Sequence, residues 1–180
     1  MRPSQLLHYD YSVAKLFMFA TILFGIIGMV VGVVIAFQMA CPELNYIAGE
    51  YSAFGRLRPL HTNGIIFGFM LSGIFATWYY IGQRVLKVSM SESPFLMFIG
   101  KLHFWLYMLV MVLAVVTLFM GESTAKEYAE LEWPLDIAVV VVWVLWGVSI
   151  FGLIGIRREK TLYILVLHRY ISWRCDVISI

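Results

Sequence analysis

The sequence predicts an all-α integral membrane protein with four transmembrane helices, and three observations carry that expectation. Apolar side chains make up 62% and charged ones 13% of its 180 residues, against roughly 25% charge in an average soluble domain. Four apolar runs, 16–40, 60–81, 95–120 and 135–156, each exceed the ~20 residues a helix needs to cross a ~30 Å hydrocarbon core. The runs are continuous instead of alternating, and an open sheet edge finds no hydrogen-bond partner in lipid, so strands are excluded. The solvent for most of this surface is therefore membrane lipid. A formal net charge of +2 makes no case for nucleic acid. Cys41 and Cys175 form no CxxC pair, so neither a structural zinc nor a covalently attached c-type haem is indicated.

The first run is about twice the length of a signal-peptide core, ~7–15 residues, and its leader carries Asp10, so it is expected to be a retained helix. The second opens at Pro59, where a missing N–H costs nothing, and ends in the interfacial aromatics Trp78, Tyr79 and Tyr80. Pro94 opens the third in the same way, and Pro134, beside the interfacial Trp133, opens the fourth. Lys and Arg in the connecting segments fix the orientation. Seven (Arg2, Lys15, Arg84, Lys87, Arg157, Arg158 and Lys160) fall on one side; three (Arg56, Arg58 and Lys126) share the other with Glu122, Glu127, Glu130 and Glu132. The N-terminus is thus expected to be cytoplasmic, with the 41–59 and 121–134 loops facing outward.

Of four histidines, His61 alone comes with a constellation. At 100° per residue, Gly64, Gly68, Ser72 and Ala76 fall within about 60° of its direction, a strip of small side chains headed by an imidazole. Two readings compete. Small residues every fourth position let helices pack closely, as Gly28 and Gly32 do on the first helix. Alternatively, a haem lies along the strip with its iron on His61 and Gly64 and Gly68 as a flat wall, since an intramembrane histidine is a functional candidate by default. Arg56 and Arg58 stand at the aqueous edge, where guanidinium matches the carboxylate geometry of haem propionates; the competing reading makes them headgroup anchors.

His103 and Lys101 lie in the third helix. Lys101 is near enough to the edge to snorkel. His103 sits about 12 Å in from the cytoplasmic face and His61 about 3 Å in from the other, so the two differ in depth by roughly 15 Å and cannot clamp one iron. His103 is expected to be a packed or polar-bridging residue. His8 is on the wrong side. A bis-histidine haem on His61 therefore needs a second ligand from elsewhere: a second copy, or further chain.

At this point a resemblance enters. The run Gly55-Arg56-Leu57-Arg58-Pro59-Leu60-His61-Thr62-Asn63, with the helix ending Thr77-Trp78-Tyr79-Tyr80, resembles the second transmembrane segment of the cbb3-type cytochrome c oxidase catalytic subunit, subunit I of the haem-copper oxidases. Tyr9 to Lys15 and Arg158 to Ile164 resemble it too, so the likeness covers four helices in order. It implies the first third of a twelve-helix bundle spanning 1–164, in a bacterial inner membrane, with c-type cytochrome subunits as partners. It implies that His61 ligates a low-spin haem b and that Arg56 and Arg58 lie near propionates. The family reduces oxygen and pumps protons using a high-spin haem b and copper, whose ligands come from later helices and are absent here. The chain alone is therefore expected to be inactive. Two readings of other classes stand beside it: a self-contained dimeric tetraspan haem b electron carrier, and a cofactor-free membrane structural protein.

After Ile164 the sequence turns polar, with His168, Arg169, Arg174 and Asp176. One permitted set of codons for 165–179, read one nucleotide on, encodes an apolar run resembling the family's next helix. The 165–180 tail is therefore expected to be out of frame.

Overall fold

A computed structural model describes residues 8–46, 49–124 and 131–159. Arg2, Lys126, Lys160, Glu127, Glu130 and the 165–180 tail lie outside the described residues. Four helices long and apolar enough to cross a membrane follow in order: the first Ser12–Ala40, the second Phe54–Leu86, the third Pro94–Met120 and the fourth Trp133–Gly155. The all-helical, four-span architecture is as predicted. Two short 3₁₀ turns, Pro42–Tyr46 and Gly49–Ser52, join the first helix to the second.

Pro94 and Pro134 sit in the first turns of their helices, as expected, and Ser93 Oγ caps the third by accepting from the Leu96 amide. Pro59 departs from expectation. Ala53 is extended, and its carbonyl already accepts from the amides of Arg56 (2.9 Å) and Leu57 (3.1 Å), so the second helix begins at Phe54 and Pro59 lies inside it. Proline forgoes the bond to the carbonyl four residues back, and that cost was assumed to force a boundary. Within two turns of the start, the helix absorbs it.

A second departure lies just beyond His61. Residues Gly64–Met70 are π-helical, with the Leu71 amide reaching back to the Ile66 carbonyl. Each π turn holds more residues than an α turn, so everything after Met70 is rotated relative to a regular helix. The strip of small residues is therefore not straight. Gly68 and Gly73 face Phe24 and Thr21 of the first helix, whereas Ser72 turns to Tyr107 of the third.

Phe17, fully buried, is the hub of the core. It stacks on Tyr79 (5.6 Å between centroids) and meets Phe75 and Phe104 edge-on, drawing the first three helices together. Polar ties close one end: Gln83 Nε2 donates to the Asp10 carbonyl, its Oε1 accepts from the Met90 amide, and Arg158 pairs with Glu92 at 2.8 Å. At the other end, Arg56 donates to the Phe119 carbonyl. Residues 8–11, 87–93 and 156–159 thus share one end and 41–46, 49–56 and 119–122 the other, as four successive crossings require.

Candidate functional site

The second helix carries His61 one turn before the π segment and turns it toward the first helix. Its Nδ1 lies 2.8 Å from the Gly28 carbonyl oxygen. A carbonyl can only accept, so Nδ1 carries the proton, and Nε2 is left as the bare nitrogen with its lone pair available. The approach depends on missing side chains. A Cβ on Gly32 would come within 2.7 Å of His61 Cε1 and 3.1 Å of Nδ1. Ile65 and Phe69, one and two turns on, fill the matching notches at Gly28 and Gly25. Sequence reasoning assigned Gly28 and Gly32 to packing unconnected with the histidine. Together they form its seat, and only the antiparallel pairing of the two helices could have revealed it.

Gly64 has open space where a Cβ would stand, while Gly68 is buried beneath Phe24, 3.0 Å from its would-be Cβ. Of the two glycines expected to line a flat wall, Gly64 is therefore clear and Gly68 is occupied by helix packing.

Arg56 lies within a network at the end of the bundle where the first helix finishes and the second begins. It bonds the Phe119 carbonyl at 3.1 Å, pairs with Glu50 at 3.2 Å and lies over the Tyr51 ring at 5.2 Å. A cation on the terminal carbonyls of the third helix also complements that helix's dipole. The helix ends at Gly121 with φ 84°, a left-handed conformation that favours glycine, beside the Arg56 guanidinium. Arg58 is exposed, and its carbonyl accepts from the Thr62 hydroxyl.

His103 is fully buried in the third helix. Its Nδ1 lies 3.0 Å from the Tyr79 hydroxyl, which donates to Ser149 Oγ at 3.1 Å, and Ser149 donates to the Leu145 carbonyl. The chain of donors runs one way and joins the second, third and fourth helices. This is the polar-bridging role expected of His103. Lys101, also as expected, is exposed. The first helix serves as a ruler between the two histidines: His103 packs on Phe17 and His61 bonds Gly28. Those positions are about 16 Å apart at 1.5 Å per residue. The two imidazoles do not share a site. Among the described residues, no three His, Cys, Asp or Glu side chains gather closely enough to hold a metal ion.

Residues 12–175 match the family described as cytochrome c and quinol oxidase polypeptide I, a match that covers all four helices and runs past Ile164. The chain belongs to that family. Among its relatives, the cbb3-type cytochrome c oxidase subunit CcoN1 of Stutzerimonas stutzeri is 43% identical over 87% of this chain and 32% of its own length. Cytochrome c oxidase subunit 1 of Rhodobacter capsulatus is 40% identical over 91% of this chain and 30% of its own. The subunit 1 homolog of Agrobacterium tumefaciens is 36% identical over 87% and 28%. The oxidase-family chain thus spans about a third of the length of the curated relatives it matches. Its four spans and its kinship together make it a multi-pass membrane protein.

Proposed function

We propose that this chain corresponds to the N-terminal part of the catalytic subunit of a cbb3-type oxidase in a bacterial inner membrane, and that His61 is one axial ligand of its low-spin haem b. The observation that carries this is the bond from His61 Nδ1 to the Gly28 carbonyl. Metal-bound histidines usually donate their other ring nitrogen to a carbonyl or carboxylate, which fixes the tautomer and strengthens the ligand. Here that donation leaves Nε2 free to bind iron, with Gly64 offering an unobstructed surface one turn away.

When bound, the haem supplies reversible one-electron storage at the iron. The chain's own residues hold and orient it. His61 provides the nitrogen, and Gly28 and Gly32 fix its plane. Arg56 offers a guanidinium at the rim; its present acid partner, Glu50, is largely exposed, so little is lost if a propionate takes that place. Arg58 stands at the same edge. Gly68 supports the helix contact beneath.

The other described histidines do not supply a second axial ligand, since His103 is too deep and His8 lies at the opposite end. The second ligand, the high-spin haem b, the copper and the c-type cytochrome partners belong, in this reading, with the remainder of the subunit. Oxygen reduction and proton pumping follow from the complete assembly. A cytoplasmic N-terminus accords with the distribution of Lys and Arg.

The test is a pyridine haemochrome assay on the chain purified in lipid with haem supplied. The expected outcome is stoichiometric pigment that falls to background in His61→Ala. Full haem content in that variant would overturn the assignment.

A further inference from the structure

The helix carrying His61 contains one residue too many for a regular α-helix, and this surplus sets where the imidazole points. On an uninterrupted helix Ser72 would lie within about 20° of His61, and Gly73 about 120° away. In the structure the roles are exchanged. Gly73 faces Thr21 of the first helix and Ser72 faces the third, as if one residue of about 100° had been inserted between the halves. Both halves consequently pack against the first helix at once: His61 on Gly28 and Gly32 above, Gly73 on Thr21 below.

A π segment leaves a debt in hydrogen bonding. The Leu71 amide, which in an α-helix would serve the Phe67 carbonyl, is bonded to Ile66 instead. Phe67 is left without its helical donor in a membrane interior, where water cannot replace it. Its carbonyl accepts from the hydroxyl of Tyr107, a buried side chain of the third helix, which also lies 3.3 Å from the Gly68 carbonyl and 2.8 Å from Ser72 Oγ. No other phenol or alcohol among the described residues is bonded to the Phe67 carbonyl.

We infer that Tyr107 is a positioning residue for His61: its hydroxyl stabilises the π turn that keeps the imidazole on the Gly28 carbonyl. Without it, the segment gains by annealing to an α-helix, which would rotate His61 about 100° relative to the lower half and remove Nδ1 from its acceptor. This rests on the haem reading only for its purpose. The geometry is a property of the chain without haem, so it can fail or succeed separately.

The experiment is solid-state NMR on the full 180-residue chain in bilayers without haem, with ¹⁵N in histidine rings and ¹³C in glycine carbonyls and tyrosine rings. A His Nδ1 to Gly carbonyl contact reports His61, and a His Nδ1 to Tyr ring contact reports His103 on Tyr79 as an internal control. In Tyr107→Phe the glycine contact is expected to fall about fivefold or more, the population shift that follows from leaving a buried carbonyl unsatisfied, while the tyrosine contact persists. Deleting Ile66 in the same variant removes the surplus residue and should restore the glycine contact. An unchanged glycine contact in Tyr107→Phe overturns the proposal. So does failure of the deletion to restore it, including the case where Tyr107→Phe loses both contacts and the deletion recovers neither. A chain that behaves as expected here yet takes up no haem would remove the haem reading and leave this one standing.

Discussion

Replacing Gly32 with alanine tests the seat of His61 most directly. A methyl there would stand 2.7 Å from His61 Cε1 and 3.1 Å from Nδ1. Carbon atoms settle at about 3.5 Å or more, so the ring must retreat by roughly 0.8 Å. Retreating along the line to its acceptor, it would stretch the 2.8 Å bond to Gly28 to about 3.6 Å, past hydrogen-bond range. The variant loses about 0.5–1.5 kcal/mol of hydrogen bonding and adds about 1–3 kcal/mol of overpacking. Loss of such an orienting contact typically weakens metal binding by ~10–100-fold. The assay is haem titration of the chain in lipid nanodiscs followed by Soret absorbance. Gly147→Ala is the control, because nothing stands within 4 Å of its Cβ position. Equal haem affinity in Gly32→Ala and Gly147→Ala, with helix content intact, would refute the argument that this carbonyl seats the ligand.

Three further outcomes follow from the same structure. Tyr79→Phe breaks the chain of donors at its middle and leaves a buried imidazole N–H without its acceptor; unfolding in mixed micelles should show a loss of about 1–3 kcal/mol. Combining it with His103→Leu should recover part of that loss, since matched apolar replacement is nearly neutral. Gly152→Ala should destabilise the pairing of the third and fourth helices by about 1–3 kcal/mol, because its Cβ would run into the buried Leu96 side chain. Asp10, just outside the first helix, is held below its ordinary value of 3.8 mainly by its hydrogen bond from the Ser12 amide. Its contribution is therefore present above that value and lost as pH falls through the lowered one. Acid unfolding of Asp10→Asn should show a shallower slope below about pH 4, and an unchanged slope would discount the contact.

Periodicity and length made the four spans legible because, in lipid, both are set by the same requirement: every backbone group must find its partner within the helix. Depth was legible for the same reason. The separation of His61 from His103, roughly 15 Å from counting residues, is about 16 Å along the first helix. What counting assumed, and could not check, was a constant 100° per residue. Nothing in Gly64 to Met70 announces five-residue closure, and the group that stabilises it, Tyr107, lies on another helix about forty positions away. Pro59 misled in the same way. A rule about where proline is cheapest gave a boundary, but the bonds to Ala53 had already started the helix.

Of the two readings of the small-residue strip, the packing seam is the one its contacts display, with Gly68 under Phe24 and the first helix's Gly28 and Gly32 under Ile65 and His61. In the first helix the Gly28 carbonyl already accepts from the amide one turn on, at position 32, and keeps a second lone pair pointing sideways. A side chain at position 32 would lie over that lone pair, because Cβ atoms lean back toward the helix N-terminus. Here the imidazole reaches the Gly28 carbonyl because position 32 carries no side chain and the two backbones approach closely at Gly25, Gly28 and Gly32. Close packing is what brings the acceptor within 2.8 Å of Nδ1, and the bond it permits is what keeps the proton off Nε2. A packing seam with no further role would have no need of an imidazole at the position facing Gly32; an apolar side chain would fill the notch without burying a polar ring. Glycine on one helix and histidine on the other stand in register, and the proposed ligand role of His61 is what would account for both.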